Sequence, residues 1–276
     1  MELIVFDLDG TLLNASSEIS SYSQDTLSRL SERGIAYTVA TGRALHASRT
    51  ILEGQGFQLP QAYKNGVLIW NPAEQNYSHH NFLTLPEIER VLEAMQRQKV
   101  TPFMSTLEPG NLHAIYHPPL LNDVEERLAA DFRSRPNLKV LPAAQMPAAA
   151  DITNVSALGI PRAIDAVELM VADEPNLVAY AGNALEGAEL NWIDIHHVDA
   201  SKGNAIEVMR QELGASKVLC FGDSNNDLSM FAAADEAYAP SNAKPEVKEA
   251  ATAVIGHHDE DGIAQFLRKR FNLGDE

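Results

Sequence analysis

Three apolar segments end in polar residues and alternate with helical patterns, and this alternation constrains the fold more than any other feature. The segments are LIVFD, IAYTVAT and KVLCFGD, at 3–7, 35–41 and 217–223. Buried strands that alternate with amphipathic helices are typical of a parallel sheet with crossover helices. The two ends of the chain therefore predict an α/β fold, with a Rossmann-like parallel sheet as its core.

The middle of the chain has a different pattern. Hairpin turns are predicted at NP (71–72) and at PGN (109–111), with helices and further short strands around them. We interpret this block as an inserted α+β domain covering 84–187. The core domain is then formed by 1–83 together with 188–276.

The composition excludes several classes of function. A formal net charge of −17 argues against a nucleic-acid or anionic-membrane partner. No apolar run is long enough for a transmembrane helix, and the acidic N-terminus does not resemble a signal peptide, so we expect a cytoplasmic protein with no membrane partner. The single cysteine, Cys220, excludes an internal disulfide and a multi-cysteine metal site.

The first candidate site is the sequence DLDGT at the end of the first apolar segment. Side chains two apart on a strand share a face, so Asp7 and Asp9 should point the same way. Neighbouring carboxylates repel each other unless a cation or a shared proton lies between them. The alternative interpretation is a strand end with two solvated acids and a glycine turn.

The other two apolar segments also end in polar turns. Asp223 begins the acidic turn of GDSNND, which also contains Asn226 and Asp227. Thr41 ends the second segment and Gly42 follows it, and at this turn a hydroxyl and free N–H groups suit an anion. Taken alone, the acidic turn could equally be a helix N-cap, and the threonine turn an ordinary link from strand to helix.

Lys202 begins a predicted helix, where a cation opposes the helix dipole. Phosphate binding would account for this position, and a solvated surface lysine is the alternative. In open parallel sheets ligands bind beyond the carboxyl ends of the strands, and Asp7, Thr41 and Asp223 each end a predicted strand. The helix from Lys202 must run back along the sheet, so we expect all four groups at one edge.

In this order, DLDGT, TGR, the lysine and GDSNND resemble the four motifs of the haloacid dehalogenase superfamily of phosphohydrolases. The inserted domain resembles the type IIB (C2) cap of its Cof-like branch, Asn65-Gly66 matches the Asn-Gly turn of that branch, and SNAKPEVKEAA resembles its C-terminal segment. The chain departs from the branch at 240–243, where PSNA replaces the usual MGNA, and before the lysine, where the approach HHVDAS contains no glycine.

The resemblance implies a role for each residue. Asp7 would attack phosphorus to form an aspartyl-phosphate, and Asp9 would protonate the leaving alcohol and then activate water. Mg²⁺ would be bound by Asp7, Asp223 and the backbone carbonyl of Asp9. Asp227 would orient the lysine or a metal-bound water. The residues implied to bind the phosphoryl group are Thr41, Gly42, Lys202 and Asn226.

We therefore expect a Mg²⁺-dependent phosphatase, monomeric or weakly dimeric, that acts on a small phosphorylated metabolite, either a sugar phosphate or pyridoxal phosphate. Because the chain is strongly acidic, its phosphate site must supply local positive charge. Two alternatives remain open. One is a phosphomannomutase-like phosphotransferase, which would require a bisphosphate activator; the other is a non-enzymatic Mg²⁺-binding regulatory module, against which Asp9 and the inserted domain argue.

Overall fold

The computed structural model describes residues 1–184 and 189–274, and the chain divides into two compact units. Unit 1 contains Met1–His80 and Ala200–Glu276, and unit 2 contains Asn81–Asp199. Unit 2 is thus an insertion within the sequence of unit 1. None of the described helices combines the length and the apolar character needed to span a bilayer.

Strands and helices alternate in unit 1 except over 61–80, where three consecutive strands form a separate antiparallel sheet. Strands outnumber helices among the described residues of unit 2. Over the described residues the strands are, in chain order, β1 (Glu2–Phe6), β2 (Ala36–Val39), β3 (Gln61–Tyr63), β4 (Leu68–Asn71), β5 (Asn76–His80), β6 (Phe103–Glu108), β7 (Leu112–His117), β8 (Leu138–Pro142), β9 (Asp151–Gly159), β10 (Leu177–Asn183), β11 (Asn191–His197), β12 (Lys217–Phe221), β13 (Glu236–Pro240) and β14 (Ala253–Ile255). The helices are α1 (Ser21–Glu32), α2 (Leu45–Leu52), α3 (Leu85–Gln98), α4 (Asp123–Ser134), α5 (Pro161–Val171), α6 (Lys202–Leu213), α7 (Leu228–Ala233), α8 (Pro245–Ala250) and α9 (Gly262–Phe271).

The main sheet of unit 1 has the strand order β14-β13-β12-β1-β2, and every neighbouring pair is parallel. Both faces of β1 are buried: Ile4 and Phe6 pack with residues of α1 and α9, while Leu3 and Val5 pack with residues of α6 and α7. A parallel sheet covered on both faces explains why these strands read as continuous apolar runs. The predicted α/β core is confirmed.

Unit 2 is built on a six-stranded sheet with the order β10-β11-β9-β6-β7-β8, antiparallel except between β7 and β8. We predicted that the inserted domain covers 84–187. The unit begins at Asn81, and the predicted second boundary falls within 185–188, outside the described residues. Beyond it, β11 pairs with β9 and β10, so this strand belongs to unit 2 rather than to the core, and the predicted return to the core at 188 is too early.

Glu236 belongs to an ion-pair cluster at the amino-terminal edge of the main sheet. Its carboxylate contacts Lys217 Nζ at 2.5 Å and Arg270 Nη1 at 2.7 Å. Hydrogen bonds from Lys217 and Tyr238 lower the pKa of Glu236 from 4.5 to about 2. Because this pKa is lower in the folded state, the ionised form of Glu236 stabilises the fold, and that stabilisation is lost as the pH falls from above 4.5 through 2.

We expect Glu236→Gln to reduce the free energy of unfolding by about 1 kcal/mol at neutral pH. The difference from wild type should shrink as the pH is lowered from about 5 toward 2, because both proteins then carry a neutral side chain at this position. Denaturant unfolding across this pH range measures it, with Glu249→Gln, at an exposed site on α8, as the control. A difference that stayed constant with pH would contradict the ion-pair account.

Candidate active site

The carboxyl edge of the main sheet carries the predicted site residues. β1 lies between β12 and β2, so the chain segments that leave these three strands are neighbours. Asp7 directly follows β1, while Asp223 and Thr41 follow β12 and β2. Lys202 is the first residue of α6. All of these residues lie in unit 1.

Lys202 is completely buried and lies between two carboxylates. Its Nζ donates to Asp7 Oδ1 and to Asp227 Oδ1, both at 2.6 Å. Burial alone would lower the pKa of Lys202, but the carboxylates of Asp227 and Asp7 raise it above its ordinary value, so the ammonium group stays charged. The alternative of a solvated surface lysine is therefore wrong.

Asp227 holds Lys202 and the turn after β12 together. One carboxylate oxygen accepts from Lys202, and the other accepts the backbone N–H groups of Asp223 at 2.8 Å and Ser224 at 2.9 Å. Ser224 and Asp227 form a capping box around the 3₁₀ turn Asn225–Asp227, as the interpretation of GDSNND as a helix cap predicted. Because both of its oxygens are engaged, Asp227 is better suited to orient Lys202 than to bind a metal ion.

Asp223 packs against the DLDGT turn, at Gly10 and Thr11. It accepts a hydrogen bond from Thr11 Oγ1 at 3.2 Å. Gly10 has a φ of +71°, and a Cβ atom at this position would lie 2.6 Å from Asp223 Oδ2. A glycine is therefore required for two reasons. The backbone is left-handed, and the Asp223 carboxylate already occupies the space that a Cβ atom at position 10 would need.

The carboxylates of Asp7, Asp223 and Asp227 can place one oxygen each within 4.8 Å of one another. Burial first, and repulsion by Asp227 second, raise the pKa values of Asp7 and Asp223 above their ordinary values. Lys202 supplies only one positive charge against these three acids. Asp7 and Asp223 offer hard oxygen ligands, and the surplus negative charge of the three acids fits a divalent cation such as Mg²⁺.

Asp9 does not share the environment of Asp7, although strand alternation predicted that the two side chains point the same way. β1 ends at Phe6, and Asp9 lies in the turn Leu8–Leu12, so the alternation of a strand does not extend to it. Its half-exposed carboxylate forms a two-point ion pair with Arg43, with Nε–Oδ2 at 2.7 Å and Nη2–Oδ1 at 2.5 Å.

Arg43, the last residue of the TGR motif, was not among the predicted site residues, yet it is the cation that pairs with Asp9. The hydrogen bond to Asp9 raises the pKa of Arg43, and the charge of Asp7 raises it further, so the guanidinium lies within the field of both acids. The strongly acidic composition was the signal for such a group, because it requires local positive charge at a phosphate site.

Thr41, Gly42 and Asn226 all lie close to the turn Lys64–Gly66, which contains the Asn65-Gly66 motif. Thr41 is buried, and its Oγ1 accepts the backbone N–H of Arg43 at 3.1 Å, as in an ordinary capped turn. Asn226 Nδ2 donates to Asn65 Oδ1 at 2.9 Å. A Cβ atom on Gly42 would lie 3.3 Å from the same Asn65 oxygen, so these residues form one contiguous group.

Residues 4–267 match the family model of haloacid dehalogenase-like hydrolases. The chain belongs to this family. Phosphatase YwpJ of Bacillus subtilis is 28% identical over 97% of this chain and 99% of its own length. The pyridoxal phosphate phosphatase YbhA of Escherichia coli is 28% identical over 96% of this chain and 97% of its own.

The fold of both units has counterparts in the same family. The solved structure of the subclass IIB sugar phosphatase BT4131 has a TM-score of 0.77 with this chain at 18% identity, and the match covers 99% of this chain and 100% of the other. The predicted superfamily is confirmed, as is the predicted class of enzyme, a phosphoric monoester hydrolase. The fold of the whole chain, inserted domain included, is similar to that of this type IIB phosphatase.

Proposed function

We propose that this hydrolase is a Mg²⁺-dependent phosphatase that cleaves small phosphate monoesters through an aspartyl-phosphate on Asp7. The observation that carries the proposal is the environment of Asp7. Asp7 is 5% exposed and directly follows β1, an interior strand of the main sheet, and its carboxylate contacts a fully buried lysine within a cluster of acids. A carboxylate held in this way, beside cations that attract phosphate, is suited to nucleophilic attack on phosphorus.

In the first step a carboxylate oxygen of Asp7 bonds to phosphorus, and the ester P–O bond breaks. Asp9 gives its proton to the departing alkoxide. In the second step Asp9 takes a proton from water as the water oxygen attacks phosphorus, the bond to Asp7 breaks, and orthophosphate leaves. Asp7 and Asp9 are thereby restored to their starting states.

Positive charge around the phosphoryl group would come from several sources. Lys202 and the Gly42 N–H would contact phosphoryl oxygens, with the Thr41 hydroxyl and the Asn226 amide beside them. Mg²⁺, bound by Asp7, Asp223 and the backbone carbonyl of Asp9, would offset the negative charge of phosphate and nucleophile. Asp227 has no direct contact with phosphate in this account, because its oxygens hold Lys202 and the turn after β12.

Arg43 would link Asp9 to the phosphoryl group. The two-point ion pair with Arg43 occupies both carboxylate oxygens of Asp9, so Asp9 cannot meet a leaving alkoxide while the pair is intact. Asp9 would therefore release Arg43 when substrate binds, and the freed guanidinium could then pair with the incoming dianion.

For the substrate we propose a sugar phosphate or pyridoxal phosphate. The support comes from relatives: YbhA is named a pyridoxal phosphate phosphatase, and BT4131 a sugar phosphatase. The protein would act as a monomer or a weak homodimer.

A panel of phosphate esters tests the proposal through the release of inorganic phosphate. We expect hydrolysis of at least one sugar phosphate or of pyridoxal phosphate with Mg²⁺, complete loss of turnover in excess chelator, and its recovery when Mg²⁺ is restored. A folded protein with no turnover on the whole panel would contradict the proposal. Turnover that depends on an added bisphosphate would instead indicate a phosphotransferase.

A further inference from the structure

The turn Lys64–Gly66, between β3 and β4, has a backbone that is difficult to form. Lys64, Asn65 and Gly66 have successive φ values of +48°, +56° and +93°. Left-handed conformations are costly for residues other than glycine, and they persist only where the surrounding structure enforces them. The contacts of this turn show what enforces it, because it meets each of the three elements that carry the phosphate-binding residues.

The backbone of the turn brackets Gly42. The N–H of Asn65 donates to the carbonyl of Thr41, and the N–H of Lys64 donates to the carbonyl of Arg43, both at 2.9 Å. These bonds hold the residues on either side of Gly42. The turn therefore fixes the position of the Gly42 N–H, which the proposed mechanism assigns to the phosphoryl group.

The third residue of the turn packs against the start of α6. A Cβ atom on Gly66 would lie 2.2 Å from the carbonyl oxygen of Ser201, the residue that precedes Lys202. Only glycine allows so close an approach of two backbones. The turn is thus wedged between the segment that carries Gly42 and the helix that carries Lys202.

The side chain of Asn65 reaches the third element. It is 5% exposed, and its Oδ1 accepts a hydrogen bond from Asn226 Nδ2 at 2.9 Å. A primary amide has two N–H groups in one plane. When Asn65 accepts one of them, the plane and the direction of the other are set.

We infer that Asn65 is a positioning residue, which orients the Asn226 amide so that its second N–H donates to the phosphoryl group. The inference rests on the proposed function in one respect, the contact of Asn226 with phosphate. The remainder follows from the geometry of the turn, which gives the Asn226 amide and the Gly42 N–H a common support.

Asn65→Gly tests this inference, because glycine adopts the left-handed backbone freely while the amide is removed. Asn137→Gly is the matched control, since Asn137 has a φ of +61° and is exposed in unit 2. The measurement is the affinity for inorganic phosphate in the presence of Mg²⁺, by direct titration without turnover. We expect Asn65→Gly to weaken phosphate binding by about five- to tenfold and Asn137→Gly to leave it unchanged.

A double-mutant cycle with Asn226→Ala separates positioning from a general loss of structure. If Asn65 acts through Asn226, the double variant should bind phosphate no more weakly than Asn226→Ala alone. A merely structural role would weaken binding in both backgrounds alike. Effects that multiply in the double variant, or wild-type affinity in Asn65→Gly, would overturn the inference.

The same titration distinguishes failure of the inference from failure of the proposed function. Suppose that the variants show the expected coupling in phosphate binding but the wild-type protein hydrolyses no ester. That result would contradict the proposed phosphatase activity and leave the role of Asn65 intact. If the wild-type protein hydrolyses esters but Asn65→Gly binds phosphate with wild-type affinity, the phosphatase activity would be supported and the role of Asn65 overturned.

Discussion

Replacement of Asp7 by asparagine is expected to lower kcat by at least about 10⁴-fold on any ester that the wild-type protein hydrolyses. The amide has nearly the same shape as the carboxylate and can still accept the hydrogen bond from Lys202, so the site should keep its geometry. It has lost the ionised oxygen that attacks phosphorus. Steady-state phosphate release measures the effect.

The stability of the same variant is its control. Asp7 is buried beside Asp223 and Asp227, and both burial and repulsion oppose its ionised form. Removal of this charge should therefore leave the metal-free protein at least as resistant to heat as wild type, measured in chelator. Asp165→Asn, at an exposed site on α5, should change neither property. Loss of a nucleophile lowers kcat far more than tenfold, so an Asp7→Asn variant with a kcat within about tenfold of wild type would show that Asp7 is not the nucleophile.

Replacement of Lys202 by methionine is expected to reduce the free energy of unfolding by about 3–5 kcal/mol and to abolish turnover. The lysine is fully buried, and its ammonium group contacts two carboxylates at 2.6 Å. Without it, the three acids of the cluster face one another in the absence of their ammonium counter-charge. Denaturant unfolding in chelator measures this loss of stability, because a bound cation would otherwise offset the repulsion between the acids.

Compensation provides a sharper form of this test. In the Lys202→Met background, Asp227→Asn should restore part of the lost stability, since it removes one of the uncompensated buried charges. Lys269→Met, at an exposed position on α9, should change the free energy of unfolding by less than about 0.5 kcal/mol. A Lys202→Met variant as stable as wild type would show that the lysine is not the counter-ion of the cluster.

The edge that carries the site could be predicted because the carboxyl ends of neighbouring parallel strands must meet. Asp7, Thr41 and Asp223 each follow a continuous apolar run, and such runs identify buried strands of a parallel sheet without an alignment. The position of Lys202 followed from the direction of a crossover helix. Its unfavourable place at a helix start is explained by the carboxylates that enclose it.

Other features depend on long-range contacts that local patterns do not encode. The argument from strand alternation does not extend to Asp9, because the chain leaves β1 after Phe6. The ion pair of Asp9 with Arg43 joins residues from two different turns. The sequence Asn65-Gly66 matched a turn of the family branch, but the neighbouring residues do not show that the Asn65 amide contacts Asn226. The boundary of unit 2 was misplaced for the same reason, because the sequence of β11 does not show that this strand pairs with β9 and β10.

The central claim is that the phosphoryl group is transferred to Asp7. Chemical trapping of the aspartyl-phosphate intermediate tests this claim most directly. Asp9→Asn provides the enzyme form, because it lacks the group that activates water, and p-nitrophenyl phosphate has a leaving group that needs little protonation. After rapid quenching, borohydride reduction converts an aspartyl-phosphate to homoserine, which mass spectrometry locates in the chain. The account predicts homoserine at position 7 in the presence of Mg²⁺; homoserine or phosphate at another position, with residue 7 unmodified, would contradict it.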